Sequence, residues 1–372
     1  MKTSHRYILA LFFLCLLSTQ ALAQHLLDEY PAGKKLQTGL ANSQFILLGE
    51  SDHSVKQFND LKDSLVIRLL SEEKPTILLF ESGITDLFSP ILSGQNTNPE
   101  PIQKCIYPVW NAKENTPLFS FLNAHIPKVF GIDIQPLGYR YSKLADSLFR
   151  NRNICTDFFR HDSLLVSLSL KKQRLQLKES DLGFPKDNLI AYYHDLILRL
   201  ETNPALLGPA LSPDNITLFI HTLQTRIALC REITITNARA LVNFRDSLMF
   251  ENLNWFVDHQ PAGTRFVFWG HNNHVSKSNL HYPGFKFLGN YIQKVYPGKA
   301  LAIGLLYYRK DKGLTAFLTR DKNVRKAFRG RSVNSLLLCA EEPESDPFTE
   351  PYRGVFDYVI LFNQVGKATY QR

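Results

Sequence analysis

The fold is decided by the stretch SQFILLGESDHSVKQFNDLKDSLVIRLLSEEKPTILLFES, residues 43–82. Its two ends are short continuous apolar runs, each closing on a carboxylate, as in strands buried on both faces. Between them, residues 54–73 place apolar side chains at helical spacing, with Asp52 or Ser54 expected to cap the helix. These apolar side chains are Val55, Phe58, Leu61, Leu65 and Leu69. A buried strand, a helix and a second buried strand predict a βαβ unit and hence a parallel sheet.

The same alternation of strands and helices returns later in the chain. An amphipathic run predicts a helix at 285–296, and residues 313–320 are expected to form a hairpin with the strand before them. The further predicted strands are 128–136, 264–272, 299–309 and 357–363. We therefore predict an α/β fold with a mostly parallel sheet flanked by helices.

A helical segment interrupts this pattern between about residues 140 and 260. Leu, Lys, Gln, Arg and Asp dominate there, apolar residues recur with helical periodicity, and few runs resemble strands. Breaks are expected at 183–187 and 203–215, and the last helix is expected to span 233–260. We predict one α/β domain over residues 24–372 with a largely helical insertion, not two independent domains.

The first 23 residues have the pattern of a secretory signal peptide. A basic start at Lys2 and Arg6 is followed by the apolar run YILALFFLCLL and by ALA before Gln24. This pattern predicts export, to the periplasm or out of the cell, with an uncleaved signal anchor as the alternative. No later apolar window is long enough to cross a membrane, so no stable membrane span is expected after cleavage.

Composition narrows the class of protein. A hydrophobic content of 44% is that of a globular protein with a sizeable core. The net charge of +9 is dispersed among acids rather than concentrated in a stripe, so no nucleic-acid partner is predicted. The cysteines after the signal show no C-x-x-C spacing, which argues against a zinc knuckle but leaves free thiols or up to two disulfides open. They are Cys105, Cys155, Cys230 and Cys339.

Charged side chains gather where the predicted strands end. In an open α/β sheet, ligands bind in the crevice beyond the carboxyl ends of parallel strands. Each of these residues has an ordinary explanation by itself, such as a turn or a helix cap. Their recurrence at four strand ends predicts a functional site. The residues are Glu50, His53, Glu81, Asp133, His271 and His274.

Five motifs follow one another in a characteristic order. They are LLGESDHS with Lys62 nine residues after His53, ILLFESG, FGIDIQ, FRDSLMFENLNWF and FWGHNNHVSKS. In this order they resemble the erythromycin esterase family, whose pattern is similar to G-E-x-x-H-G, R-D-x-x-M-x-x-N and W-x-H-N-x-H. The resemblance extends from about residue 44 to 320. Ser54 departs from the family's glycine, and Gly270 stands where alanine is more usual.

The resemblance implies an α/β fold with a helical insertion and a deep cleft. It implies a hydrolase that opens a macrolactone ester with an activated water and without a covalent acyl-enzyme. By residue-by-residue correspondence, His53 matches the general base, and Glu50, Glu81 and His271 match the surrounding catalytic residues. Positions that line or support the site correspond to Lys62, Arg245, Asn252 and His274. Asp133 is added to these supporting residues because it lies at the end of a predicted strand.

The chemistry of ester hydrolysis agrees with this interpretation. A base must take a proton from water, and imidazole has a suitable pKa. A carboxylate such as Glu50 or Glu81 can fix its tautomer, and His271, Lys62 or Arg245 can donate to the developing oxyanion. No G-x-S-x-G motif indicates a serine nucleophile. We predict a small-molecule ester or lactone as substrate and no cofactor.

Two alternatives use the same residues differently. A metal-dependent hydrolase could take its ligands from the His, Glu and Asp cluster, although the spacing is G-x-x-x-H and HNNH is not H-E-x-x-H. A non-enzymatic protein could instead hold haem or another small ligand. His53, His271 and His274 would then be the candidate axial ligands.

Overall fold

The computed structural model describes residues 31–88, 90, 101–124, 129–178, 181, 186–208, 211–307, 335–340, 352–362 and 365–370. The predictions of a signal peptide at 1–23 and of a hairpin at 313–320 lie outside the described residues.

Seven strands form one sheet in the part of the chain that is described. They are β1 (Phe45–Glu50), β2 (Thr76–Gly83), β3 (Val129–Asp133), β4 (Arg265–His271), β5 (Ala300–Tyr307), β6 (Ser335–Cys339) and β7 (Tyr358–Phe362). Their order across the sheet is β3-β2-β4-β1-β5-β7-β6. Strand β1 pairs in parallel with β4 and β5, β5 pairs in parallel with β7, and β6 is antiparallel to β7. The prediction of an α/β fold with a mostly parallel sheet is confirmed.

Ten α-helices lie within the described ranges. They are α1 (Pro31–Asn42), α2 (Lys56–Ser71), α3 (Thr116–Asn123), α4 (Ala145–Leu148), α5 (Arg152–Gln173), α6 (Lys186–Thr202), α7 (Pro213–Ile233), α8 (Ala238–Asp258), α9 (Asn272–Val275) and α10 (Leu288–Val295). A search of these ranges finds no helix with both the length and the apolar character of a membrane span.

The chain divides into two compact units. The first comprises residues 1–79, 108–128 and 257–372, and the second comprises residues 80–107 and 129–256. Strands β1 and β4 to β7 belong to the first unit and β3 to the second, while β2 begins in the first and ends in the second. Helices α4 to α7 and nearly all of α8 form the predicted helical segment, in the second unit. The single interrupted domain over 24–372 stays a prediction.

Strand β1 is the centre of the first unit. All six of its residues are buried, because parallel neighbours flank it on both sides and helices cover its faces. At its end, a Cβ on Gly49 would lie 2.3 Å from Asn272 Oδ1 and 2.4 Å from Val275 Cγ2. Glycine at this position therefore lets α9 pack directly on the end of β1. This close approach brings the residues around His271 beside Glu50, its register partner across β1 and β4.

The predicted cap of α2 is wrong. The N-cap residue is Val55, and no side chain caps the helix. Asp52 instead closes the preceding turn, since its Oδ1 accepts hydrogen bonds from the Ser54 amide at 2.8 Å and the Ser54 hydroxyl at 2.6 Å. Its other oxygen accepts from Tyr307 Oη at 2.9 Å. Asp52 therefore accepts the hydrogen bonds of this turn and does not cap the helix.

The helix predicted over 233–260 is also shorter than expected. One helix, α7, ends at Ile233, and α8 begins only at Ala238. The boundary arises because Asn237 Oδ1 accepts from the Ala240 amide at 2.9 Å, which is the hydrogen bond of a helix N-cap. The predicted break at 203–215 is present, since α6 ends at Thr202 and α7 begins at Pro213.

The sequence did not predict β6. Residues 335–339 pair antiparallel with β7, and their three central leucines are buried. The cysteines left open by the sequence form no disulfide within the described residues, and they are buried at Cys105, Cys155 and Cys230 and half-buried at Cys339.

Candidate active site

A buried ion pair and a histidine meet at the end of β1. Glu50 Oε1 lies 2.8 Å from His53 Nδ1, and its other oxygen accepts from Lys62 Nζ at 2.9 Å. The side chains of Glu50 and Lys62 are fully buried, whereas that of His53 is 31% exposed. Glu50 reaches this position as the last residue of β1, and Lys62 projects from the second turn of α2. The group therefore combines a fixed internal charge pair with a base that solvent can reach.

The contact with Glu50 sets the tautomer of His53. A carboxylate that accepts from an ammonium offers only acceptor oxygens, so Nδ1 of His53 must carry the proton. The lone pair of the neutral ring then lies on Nε2. A neutral imidazole in this tautomer can take a proton from a water molecule, and Glu50 stabilises the resulting imidazolium.

Two tryptophans enclose the Lys62 ammonium. Its Nζ lies 4.4 Å from the centroid of the Trp269 ring and 5.3 Å from that of Trp110, and it also donates to Gly270 O at 3.4 Å. The ring of Trp110 also packs perpendicular to that of His53, with 4.5 Å between ring centroids. Cation–π contacts of this kind stabilise a desolvated cation and add to its pairing with Glu50.

His271 lies beside His53 with the opposite arrangement of its ring nitrogens. The two ring centroids are 5.4 Å apart. His271 caps α9, and its Nδ1 accepts from the Asn273 amide at 3.2 Å. In the neutral ring, a proton must then sit on Nε2, which makes that atom a hydrogen-bond donor. His53 and His271 therefore offer an acceptor and a donor respectively.

A second polar cluster lies in the second unit, where Glu81 stands two residues before the end of β2 and Asp133 ends β3. Arg245 of α8 donates from Nε to both oxygens of Asp133 at 3.1 Å, and from Nη2 to Asp133 and to Glu81, the latter at 3.2 Å. Tyr107 donates to Asp133 at 3.2 Å and to the Gln135 carbonyl at 2.8 Å. The cluster is therefore one guanidinium shared between two carboxylates.

Charges within this cluster change the acidity of its members. Burial alone lowers the pKa of Arg245, but the charges of Asp133 and Glu81 outweigh it and hold the pKa well above its usual value. Burial, and then the negative charge of Asp133, raise the pKa of Tyr107 well above that of a free phenol. The guanidinium is therefore a permanent cation and the phenol a permanent hydrogen-bond donor.

Asn252 supports the second cluster from two turns further along α8. Its amide group donates to the Ile132 carbonyl in β3 at 2.8 Å, and its Oδ1 lies 2.9 Å from Nε2 of His221. The His221 ring in turn stacks on Trp255 at 4.7 Å between centroids. Asn252 therefore fixes α8 to the strand that ends in Asp133, which agrees with a supporting role.

The predicted residues thus fall into two groups within the described structure. Glu50, His53, Lys62 and His271 contact one another in the first unit, with His274 buried on α9 of the same unit. Glu81, Asp133 and Arg245 form the second group with Asn252 beneath them. That all of them line one cleft, and that Glu81 orients His53, stay predictions. Sequence reasoning missed Trp110 and Tyr107, whose only signal is the aromatic pair in YPVW, residues 107–110.

The described residues were also searched for a metal site. Among them, no group of three or more His, Cys, Asp or Glu side chains is arranged to hold a metal ion. Each carboxylate named above has instead a nitrogen partner, Lys62 for Glu50 and Arg245 for Glu81 and Asp133.

Comparison with known proteins supports a hydrolase. The family model for erythromycin esterase matches residues 222–328, which contain Arg245, Asn252, His271 and His274. The chain is 23% identical over 345 residues to the putative hydrolase YbfO of Bacillus subtilis, covering 83% of this chain and 74% of YbfO. It is 21% identical over 329 residues to erythromycin esterase type II of Escherichia coli, covering 81% of this chain and 77% of that protein. The resemblance to the erythromycin esterase family that the motifs predict is confirmed.

Solved structures support the same fold. A crystal structure of a Bacillus cereus protein superposes with a TM-score of 0.66 at 17% identity, covering 91% of this chain and 93% of that one. A variant of the erythromycin esterase EreC in its open conformation gives a TM-score of 0.63 at 16% identity, covering 92% and 97%. A structure described as a succinoglycan biosynthesis protein gives 0.63 at 13%, covering 92% and 93%. At these identities the matches establish the fold and no more.

Proposed function

We propose that this protein hydrolyses an ester or a lactone, of the macrolactone type, with a water molecule that His53 activates. The observation that carries the proposal is the contact between His53 Nδ1 and the buried Glu50, which leaves Nε2 as a proton acceptor. The family resemblance supports the same class of reaction.

The steps follow from the protonation of the two histidines. Nε2 of His53 takes a proton from water as the oxygen attacks the ester carbonyl, and Glu50 stabilises the imidazolium. The Nε2 hydrogen of His271 is the donor that we propose for the tetrahedral oxyanion. When the intermediate collapses, His53 returns its proton to the leaving alcohol. Lys62 remains bound to Glu50 throughout and balances the charge of the buried carboxylate.

The second cluster has a supporting role in this proposal. Arg245 is a permanent cation held by Asp133 and Glu81, so it is suited to binding a carbonyl or hydroxyl oxygen of the substrate. Asn252 positions α8, and His274 completes the packing of α9. The substrate is a small-molecule ester or lactone. We also propose that the enzyme is exported, either to the periplasm or out of the cell, on the basis of residues 1–23.

The test is hydrolysis of erythromycin, of simpler lactones and of p-nitrophenyl acetate by the purified protein. His53→Asn keeps a side-chain donor for Glu50 but has no base. We expect it to lower kcat by about 100- to 10,000-fold, the usual contribution of a general base. His259→Asn is the matched control, because His259 is exposed beyond the end of α8 and should leave kcat unchanged.

Four results would contradict the proposal. Hydrolysis that survives His53→Asn would remove the base from the mechanism. Loss of activity with a chelator and its recovery with Zn²⁺ would favour the metal-dependent alternative. Uptake of haem, seen as a Soret band, by a protein that hydrolyses none of the substrates would favour the binding protein. A covalent acyl adduct in the mass spectrum of quenched enzyme would replace direct attack by water with a two-step mechanism.

A further inference from the structure

Residues 365–370, called the strap below, run along the turn that carries His53. The Gly366 carbonyl accepts from the Lys56 amide at 2.9 Å, and the Ala368 amide donates to the Ser54 carbonyl at 2.7 Å. These are backbone hydrogen bonds of a short antiparallel bridge. They hold the strap against the start of α2, where no side chain caps the helix.

The other edge of the strap is bound to the loop before α3. The Lys113 amide donates to the Thr369 carbonyl at 2.7 Å, and Tyr370 forms an antiparallel bridge with Ala112. The Thr369 amide also donates to the Glu114 carboxylate at 3.0 Å. The strap therefore connects two segments that are about sixty residues apart in the chain.

Both connected segments contribute to the surroundings of His53. Tyr370 Oη donates to the backbone carbonyl of His53 at 3.0 Å. The second segment begins with Trp110, whose ring packs perpendicular to the imidazole with 4.5 Å between ring centroids. Burial and the charges of Glu50 and Asp52 raise the pKa of Tyr370, so its phenol stays a donor at neutral pH.

We propose that the strap positions the general base, with Tyr370 as the positioning residue that fixes the His53 backbone. The contact with Glu50 restrains only the ring, and the side chain of His53 is otherwise 31% exposed. A hydrogen bond to its carbonyl and the Trp110 ring restrain the remaining freedom. Placing a base to within a fraction of an ångström has a large effect on rate, so loss of these restraints affects kcat more than substrate binding. The kinetic part of this proposal rests on the function proposed above.

The experiment compares Tyr370→Phe, deletion of residues 365–372 and the full chain. Tyr370→Phe removes one hydroxyl and should lower kcat on p-nitrophenyl acetate about fivefold with KM nearly unchanged. The deletion removes the whole strap and should lower kcat about 100-fold. Lys367→Ala is the matched control, because the Lys367 side chain is exposed while its backbone pairs with Val55. It should leave kcat unchanged.

A second measurement does not depend on catalysis. In protein labelled with carbon-13 histidine, the imidazole resonance of His53 is identified by its loss in His53→Asn. It should move in Tyr370→Phe and further in the deletion, whereas the resonance of His259 should stay in place. If the wild type hydrolyses nothing, the proposed function fails and this shift alone decides whether the strap positions His53.

Two outcomes would overturn the role of the strap. The first is wild-type kcat together with an unmoved His53 resonance in Tyr370→Phe. The second is a loss of activity that equals the loss of folded protein measured by circular dichroism, which would make the strap a structural element only. If the deletion does not fold, the comparison of Tyr370→Phe with Lys367→Ala decides whether the strap positions His53.

Discussion

Replacing Asp86 by asparagine should stabilise the protein at neutral pH. Asp86 lies three residues after β2 and is fully buried. Its Oδ2 accepts from the Leu137 amide at 2.7 Å, while Oδ1 has no hydrogen-bond partner among the described residues. An asparagine oxygen can keep the bond to Leu137, so the substitution removes the charge and little else.

The magnitude follows from the pKa of this carboxyl group. Burial is the main cause that raises the pKa of Asp86 from 3.8 to about 7, and the negative charge of Asp162 raises it further. The Leu137 hydrogen bond and the charges of Arg226 and Arg140 lower the pKa and offset part of this rise. The unfolded chain keeps the lower value. A difference of about three units corresponds to about 4 kcal/mol. Since the folded state binds the proton more tightly, this stability is present below about pH 4 and is lost as the pH rises to about 7.

The assay is urea unfolding of the wild type and Asp86→Asn between pH 4 and 8, followed by circular dichroism. The free energies of unfolding should agree near pH 4 and separate to about 4 kcal/mol, in favour of the variant, at pH 8. Asp195→Asn is a suitable control, since that side chain is 63% exposed on α6. Two curves that stay parallel across the pH range would refute the assignment of a raised pKa to Asp86.

Two further substitutions test the supports of the candidate site. Lys62→Met leaves Glu50 buried without its cation, and we expect a loss of about 3–5 kcal/mol in the free energy of unfolding. Lys62→Arg keeps a cation beside Glu50 and should retain part of this free energy of unfolding. Equal urea midpoints for both variants and the wild type would contradict a stabilising role for the ion pair. Asn252→Ala removes the hydrogen bonds of Asn252 to the Ile132 carbonyl and to Nε2 of His221, so thermal unfolding should show a loss of about 3 kcal/mol. A change below 0.5 kcal/mol, about the effect of a neutral surface substitution, would show that Asn252 is not a support.

Sequence reasoning succeeded where the signal is local. Strands β1 and β2 are continuous apolar runs. Strand β1 ends in Glu50, β2 ends in Gly83 two residues after Glu81, and β4 ends in His271. Such strands are buried on both faces, so their composition alone predicts them. The carboxylates and imidazoles that follow these runs can be read from the sequence, and their convergence into one site stays a prediction.

The errors occur where two local signals compete. Asp52 and Ser54 can both cap a helix, yet Asp52 is taken up by its own turn and by Tyr307, which lies 255 positions away. Asn237 caps a new helix inside a segment whose apolar residues keep helical periodicity throughout. That periodicity does not indicate where one helix ends and the next begins. Strand β6 is stabilised by its pairing with β7 rather than by its own pattern.

The supports of His53 could not have been predicted from the sequence at all. The strap meets the His53 turn through backbone hydrogen bonds, which carry no residue signature. Tyr370 and His53 are 317 positions apart. Trp110 and Lys62 are recognisable as a cation–π pair only once their positions in space are known. Residues that do the chemistry leave motifs, whereas residues that position them depend on tertiary contacts.

The arrangement of hydrogen bonds also bears on whether His53 and His271 hold a water or a metal ion. Metal ligation requires a lone pair on the ring nitrogen that faces the ion. His53 has this lone pair on Nε2, but the Asn273 amide occupies the lone pair of His271 Nδ1 and leaves the proton on Nε2. To ligate through Nε2, His271 would have to change tautomer and give up its cap of α9. An acceptor beside a donor is instead the pair that water attack on an ester requires, one nitrogen for the proton and the other for the oxyanion.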